Sequence, residues 1–412
     1  MDTFEKRLEL PVSPAEAFAW HERPGALDRL LPPWEPVRVL ERGDGVRNGS
    51  TVKLGQRIGP VRVEWVARHH GYQAGRVFRD TQLSGPFAAW EHRHEFESGQ
   101  RGGTVLTDHI EYQVPGGSLG RLLGGGVIRR KLAHMFTYRH ETTLQDLNTH
   151  ARYRDRGVMR WAVTGSTGLL GATLLPLLTT GGHEVTRLVR RRAGEGEVEW
   201  NPQARWDAAA LDGTDAVVHL AGENIAAGRW TAAAKQRIRD SRVGGTRQLC
   251  EGLARMTRPP RVLVSASAIG FYGERGDEPL TETSTAGAGF LAEVAQEWEA
   301  ATRPALEAGI RVVHLRFGMI LSPRGGALAK MLPPFQWGGG GRVGGGRQYW
   351  SWIAIDDAAA AVHHAVMCDA LAGPVNAVSP QPVTNAEFTA TLGRVLRRPT
   401  IVPLPGFAAR MV

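Results

Sequence analysis

An apolar run, Met159-Arg160-Trp161-Ala162-Val163, passes directly into Thr164-Gly165-Ser166-Thr167-Gly168, and Leu169-Leu170-Gly171 then begin a helical pattern. Glycines at this spacing suit a strand that reverses sharply into a helix. Gly165 permits the tight turn, Gly168 lets backbone approach a ligand phosphate, and Gly171 allows the helix to pack closely on the sheet. The helix N-terminus would then offer free N–H groups and the positive end of its dipole to an anion. A second strand, His183-Glu184-Val185-Thr186-Arg187-Leu188-Val189, follows at the right distance. The pattern predicts a βαβ unit cradling a dinucleotide pyrophosphate, with Gly165, Ser166, Thr167, Gly168, Leu169 and Leu170 against it.

The end of the second strand selects the cofactor. A site for NAD usually carries an acid there for the ribose hydroxyls. This strand ends Val189-Arg190-Arg191-Arg192, with no acid before Glu195. Guanidinium groups match a 2′-phosphate through paired hydrogen bonds, so NADP(H) is the expected cofactor. Beyond this unit, strands at Ala216–Ala221, Val262–Ser265 and Arg311–Phe317 alternate with helices at Thr231–Met256 and Phe290–Glu307. Such alternation predicts an α/β fold, a Rossmann-type doubly wound parallel sheet.

The first 150 residues follow a different pattern. Phe4–Leu10 alternates as a strand, and Ser13-Pro14-Ala15-Glu16 opens a helix with a capping hydroxyl and an early proline. Strands are predicted at Val37–Leu40, Thr51–Ile58, Val61–His69, Arg76–Leu83, Trp90–Phe96 and Thr104–Tyr112, and a helix over Val127–Leu147. This order predicts an α+β domain in which a curved antiparallel sheet wraps a long helix and leaves a cavity. Trp20, Trp34, Trp65 and Trp90 either line that cavity or fill the core. His92 and His94 share a strand face, and His69, His70 and His109 lie nearby in sequence. Spacing specifies no third ligand, so no metal is expected.

Composition narrows the field. Cys250 and Cys368 are the only cysteines, which excludes a disulfide framework and any multi-cysteine metal site. The formal charge of +9 comes almost wholly from scattered arginines, so nucleic acid is not an expected partner. No apolar run is long enough to span a bilayer, and Met1–Lys6 carries no apolar signal segment. A cytoplasmic location is expected.

The motifs resemble a known family. Thr164–Gly171 resembles the glycine signature of extended and atypical short-chain dehydrogenase/reductases. Asp215-Ala216-Val217-Val218-His219-Leu220-Ala221-Gly222-Glu223-Asn224-Ile225 resembles their fourth-strand motif, and Ser265-Ala266-Ser267-Ala268-Ile269-Gly270-Phe271-Tyr272-Gly273 their fifth strand and active-site turn. With Leu315–Leu321, Gly338–Gly346 and Trp350–Asp357, these are similar to the epimerase-family (NAD-dependent epimerase/dehydratase-like) atypical subgroup. The N-terminal element order resembles the START-like or polyketide-cyclase (SRPBCC) superfamily, whose helix-grip fold often holds an apolar ligand. Three regions are thus expected: a START-like domain at 1–150, a linker at 151–157, and an NADP-binding domain at 158–412. The resemblance implies a few dozen residues after Arg398–Phe407 that complete a substrate-side cap; the sequence stops at Val412, so a short cap is expected.

The resemblance also implies roles. Val189 and Arg190 would meet the adenosine phosphate end, Leu220, Ala221 and Gly222 the adjoining ribose, and Arg242 and Met319 other parts of NADP. Arg242 is equally a solvated helix charge. The wider superfamily pairs a proton-transferring Tyr with a Lys four residues later, but here Phe290 and Val294 stand in those places. Ser267 aligns with the superfamily's active-site serine. Tyr272, in the turn after the fifth strand, is either a substitute proton donor or a structural tyrosine. Two functions follow from this: an NADP(H)-dependent oxidoreductase or nucleotide-sugar-type epimerase acting on a small molecule, or a non-catalytic dinucleotide-binding sensor or scaffold. The START-like half would bind a hydrophobic ligand in either case.

Overall fold

A computed structural model of the chain describes residues 1–403, apart from Pro60, Arg205, Asp207 and Ala227. It separates into two compact units: Met1–Gly157 with Pro176–Gly182, and Val158–Leu175 with His183–Val412.

The first unit begins with β1 (Asp2–Leu10), α1 (Pro14–Glu22) and α2 (Ala26–Leu30). Then come β2 (Val37–Glu41), β3 (Thr51–Ile58), β4 (Val61–Gln73), β5 (Val77–Ser84), β6 (Ala89–Ser98) and β7 (Thr104–Gln113), closed by α3 (Gly117–Ala151). The seven strands form one antiparallel sheet in the order β1-β7-β6-β5-β4-β3-β2. Alternation decides which side chains turn inward: along β6, Trp90, His92, His94 and Phe96 are buried while their neighbours are not. Ser13 caps α1 by accepting from Glu16 N, as its sequence predicts. Helix α3 differs from expectation, starting at Gly117 instead of Val127. Its first turns are solvent-facing, with Leu119, Leu122 and Leu123 exposed, so no apolar periodicity marks them. Short α2 had no bounds assigned from the sequence, and the stretch read as a linker holds a 3-10 turn at Arg154–Arg156.

The second unit contains β8 (Arg160–Thr164), the first part of α4 (Leu169–Thr180, grouped with the first unit from Pro176 on), β9 (Glu184–Val189), β10 (Glu197–Glu199), β11 (Ala216–His219), α5 (Ala232–Ala254), β12 (Val262–Ala268), α6 (Phe290–Ala300) and α7 (Arg303–Glu307). It continues with β13 (Arg311–Phe317), β14 (Met319–Leu321), α8 (Gly326–Gln336), β15 (Tyr349–Trp350), β16 (Trp352–Ala354), α9 (Ile355–Met367), β17 (Gly373–Ala377), β18 (Val383–Thr384) and α10 (Asn385–Leu396). The main sheet is parallel throughout, in the order β10-β9-β8-β11-β12-β13-β17. Chain order therefore reverses beside β8, and such a switch point leaves a crevice at the strand C-termini. The single helix expected over Phe290–Glu307 is two, because Pro304 cannot donate to the preceding turn and starts α7 instead. The strand expected to reach Ala221 ends at His219, where backbone turns to side-chain partners. Leu404–Phe407, at the end of the segment linked to the cap, lie outside the described residues.

Candidate functional site

The glycine loop sits at that switch point. Gly165 has φ +66, and a Cβ there would lie 2.7 Å from the carbonyl carbon and oxygen of Leu220, so the loop crosses the chain leaving β11 almost in contact. Gly171 is tighter still, with an added Cβ 2.3 Å from Gly165 O and 2.7 Å from Ser166 Cα. Its role differs from the one expected: it seats the first turn of α4 on the loop itself, not on the sheet. The Ala172 N–H bonds to Gly168 O, which leaves the earlier N–H groups at this helix end without intrahelical partners.

Beneath the loop lies a buried polar relay. Thr164 Oγ1 accepts from the N–H groups of Leu220 and Ala221 at 3.1 and 3.2 Å and lies 2.8 Å from His219 Nδ1. His219 Nε2 lies 2.9 Å from Thr246 Oγ1, which also accepts from the Trp298 indole at 2.9 Å. Burial pushes the His219 pKa down to about 4, so the ring is neutral, with Thr164 donating to Nδ1 and Nε2–H donating to Thr246. The relay fixes Leu220 and Ala221 against the glycine loop.

The arginine run divides. Arg191 pairs with Glu197 at 2.6 Å, and Arg187 pairs with the same carboxylate oxygen. Arg190 and Arg192 are exposed and have no ion pair among the described residues. Arg242 is not a solvated helix charge. It is half-buried, 5.1 Å from the Trp298 ring, and donates to Glu223 O at 3.0 Å beside Gly222. Val189 is buried at the end of β9, and Met319 opens β14 with its N–H on Ser351 O.

Ser267 and Tyr272 come together through a third residue. Ser267, Arg316 and Asn376 are register partners across β12, β13 and β17. Arg316 grips Glu299 of α6 with both arms, Nε–Oε1 at 2.8 Å and Nη2–Oε2 at 2.7 Å. Ser267 Oγ donates to Glu299 Oε1 at 2.6 Å. Arg316 Nη1 donates to the Tyr272 phenol oxygen at 2.9 Å, and that hydroxyl donates to Asn376 Oδ1 at 2.6 Å. The Arg316 guanidinium also lies 3.5 Å from the Phe271 ring centroid. Ser267 is 4% exposed and Tyr272 3%. Sequence reasoning missed Arg316 and Glu299, whose meeting depends on strand register. Where the superfamily tyrosine would stand, Phe290 has Lys235 Nζ 5.2 Å from its ring, brought from α5.

The first unit holds a cavity of about 650 Å³ with a mainly apolar lining that includes Leu30, Val52, Leu54, Trp65 and Trp90. Trp65 and Trp90 therefore do line it, whereas Trp20 is core and Trp34 is half-exposed, stacked on His134. One wall carries a polar cluster. Asp80 on β5 lies opposite His92 on β6, and His94 lies opposite Asp108 on β7. His92 Nδ1 is 3.2 Å from Asp80 Oδ2, and its Nε2 is 3.0 Å from Asp108 Oδ1. His94 Nδ1 lies 2.7 Å from the same Asp108 oxygen but off the angle of a hydrogen bond, and His140 Nε2 meets the other oxygen at 2.6 Å. Burial would raise the Asp80 pKa, but hydrogen bonding and charge from His92 bring it down to about 2. Burial, reinforced by His92, takes His94 down to about 3. His69 on β4 lies opposite Asp80 and also lines the cavity, whereas His70 meets Thr81 and His109 pairs with Glu5 away from this wall. Asp80 and Asp108 were missed. The available signal was an inward acid two residues after Phe78, beside an inward histidine pair.

Comparison with known proteins agrees with both architectures. The model of the NAD dependent epimerase/dehydratase family matches residues 161–375, and that of the polyketide cyclase / dehydrase and lipid transport family matches residues 10–136. The epimerase family protein Mb2239 of Mycobacterium bovis is 47% identical over 251 residues, 60% of this chain and 83% of that protein. The crystal structure of a nucleoside-diphosphate sugar epimerase from Corynebacterium glutamicum is 36% identical with a TM-score of 0.82, covering 99% of this chain and 86% of that one. The human epimerase family protein SDR39U1, crystallised with NADPH, is 35% identical with a TM-score of 0.57, covering 62% of this chain and 85% of that one. Among the described residues no helix is long and apolar enough to cross a membrane.

Proposed function

The chain belongs to the NAD dependent epimerase/dehydratase family, and from that premise we propose an NADP(H)-dependent oxidoreductase or nucleotide-sugar-type epimerase acting on a small molecule. The observation that carries it is the loop itself, where Cβ-free positions at Gly165 and Gly171 press backbone against backbone and leave the start of α4 open to phosphate. The relatives support it: the human one was crystallised with NADPH, and another is described as a nucleoside-diphosphate sugar epimerase. Gly165, Ser166, Thr167, Gly168, Leu169 and Leu170 would hold the pyrophosphate. Val189 and Arg190 would hold the adenosine phosphate, and Leu220, Ala221, Gly222, Arg242 and Met319 the remainder. The bound nucleotide supplies hydride transfer at its nicotinamide.

Protein groups then handle the proton. Tyr272 is the proposed proton-transferring residue, with Arg316 at 2.9 Å as the cation beside its oxygen in place of a lysine, and Ser267 steadied by Glu299. A substrate oxygen would have to take over the Tyr272 bond to Asn376. The apolar cavity of the first unit would take a hydrophobic ligand, with the chain as a whole placed in the cytoplasm.

A second reading has its own observation. Both hydroxyl protons are spent on internal acceptors, Glu299 and Asn376, which fits a dinucleotide-binding sensor or scaffold that does not turn over. NADPH fluorescence titration tests the shared part: wild type should bind, and Gly171→Ala should bind at least about tenfold more weakly, since the Gly165 and Ser166 backbone cannot yield. Absence of wild-type binding would sink both readings. Turnover in a dehydrogenase screen that falls about a hundredfold in Tyr272→Phe supports the enzyme; NADPH binding with no turnover in wild type supports the sensor.

A further inference from the structure

The wall of the first unit's cavity brings together two imidazoles and a carboxylate in mutual reach. One ligand atom from each of Asp80, His92 and His94 lies within 4.8 Å of the others. Individual separations are 3.2 Å from Asp80 Oδ2 to His92 Nδ1 and 4.0 Å to His94 Nε2. Ligands about 2.1 Å from one ion stand roughly 3 to 3.5 Å apart, so small rotations close the set. Their far sides are also accounted for. His92 Nε2 is anchored on Asp108 Oδ1 at 3.0 Å, and His94 Nδ1 lies 2.7 Å from the same oxygen. The Asp108 carboxylate behind His92 is how metal-bound imidazoles are oriented, and a small turn of the His94 ring would give it the same partner.

Charge points the same way. Asp80 and Asp108 are both inward on the sheet, and among the described residues neither has a lysine or arginine within ion-pair distance. The two carboxylates draw on His92 between them and on the charge of Arg139, which lines the same cavity; a divalent ion held by Asp80 would take over that compensation and let His92 bind it as a neutral imidazole. Asp80, His92 and His94 all line the cavity, so the remaining coordination positions would open into it. We propose that Asp80, His92 and His94 form a binding site for one divalent transition-metal ion of the zinc or iron(II) class, with Asp108 as the positioning residue behind it. Two histidines and one carboxylate with open positions are a donor set for these ions. The open positions would take an oxygen donor of a molecule whose apolar body fills the cavity.

The test uses the full chain, stripped with chelator and titrated with Co²⁺ and then Zn²⁺. One equivalent per chain should bind, Co²⁺ should show the ligand-field bands of a nitrogen–oxygen site, and Zn²⁺ should displace it. Asp80→Asn, nearly isosteric, should weaken binding at least about tenfold, and His94→Gln should abolish it. Asp108→Asn should weaken it about 10- to 100-fold with stoichiometry unchanged. His109→Ala, outside the cluster, should match wild type. Should His94→Gln fail to fold by far-UV circular dichroism, Asp80→Asn decides. No uptake by wild type, or equal uptake by Asp80→Asn, overturns the proposal and leaves the cluster an ion-pair network. NADPH titration of the same samples reports the other unit independently.

Discussion

The network around Arg316 and the cluster around Asp80 are built from the same kind of parts. Each places polar residues in register across neighbouring strands, Ser267–Arg316–Asn376 in one and Asp80–His92 with His94–Asp108 in the other. They differ in closure. Around Arg316, the guanidinium, the Glu299 carboxylate and both hydroxyls find partners within the network. Around Asp80, atoms converge on a space that opens into a cavity, and His94 Nδ1 misses hydrogen-bond geometry. A satisfied network specifies a fold, whereas a polar group left without a partner is costly until something meets it.

The largest effect should come from opening the closed one. Arg316→Ala leaves the largely but not fully buried Glu299 without its bidentate partner, which costs about 3 kcal/mol. Urea unfolding followed by tryptophan fluorescence should show it. Arg316→Lys should recover only part, because a point charge cannot hold two oxygens and the Tyr272 hydroxyl together. A loss below about 1 kcal/mol in Arg316→Ala would remove the distinction between the two regions.

Acid tests the second unit next. His219 and His363 are held neutral mainly by burial, with pKa pushed down to about 4 and about 3. An unfolded chain takes these protons near pH 6.5, so below that value the unfolded state binds more protons than the folded one. Stability is complete above about pH 6.5 and falls with pH, by up to about 1.4 kcal/mol per unit for each histidine. For His219 the loss reaches about 3 kcal/mol by pH 4. His219→Asn should flatten the unfolding midpoint between pH 7 and 4.5; an unchanged slope would mean that the ring is already charged in the fold.

What the sequence carried was local. Glycine spacing, the Ser13 cap and strand alternation are each set within a few residues, and the two sheet types, one parallel and one antiparallel, followed from them. Lost were features made by register. Nothing near His92 names Asp80, and nothing near Ser267 names Arg316, because a parallel or antiparallel pairing chooses the neighbour. The start of α3 was lost for another reason: Gly124, Gly125 and Gly126 are poor helix formers, and an exposed helix face offers no apolar period before Val127. The arginine run was legible only as a group; the Glu197 carboxylate divides Arg191 from Arg190.

A smaller effect is expected when the open cluster is altered without metal. Asp80→Asn keeps the shape and can still accept from His92, so metal-free stability should change by about 1 kcal/mol. Paired unfolding curves with and without Zn²⁺ check this, since ligand bound only by the folded state should stabilise wild type and not the variant. If metal-free Asp80→Asn loses as much as Arg316→Ala, the cluster is a closed network too.

Least visible in stability should be Arg190→Ala. The side chain is exposed and without an ion pair among the described residues, so unfolding should shift by no more than about 0.5 kcal/mol. Its free guanidinium is nevertheless what would separate NADPH from NADH. Removing a bidentate contact to a 2′-phosphate should lower the NADPH preference about tenfold or more while NADH affinity stays level. Arg191→Ala is the sharper control. It frees Glu197 from one of two arginines and should cost more stability but less selectivity, because that guanidinium is already engaged. Equal loss of preference in both variants would mean that the phosphate is held by the run's charge and not by Arg190.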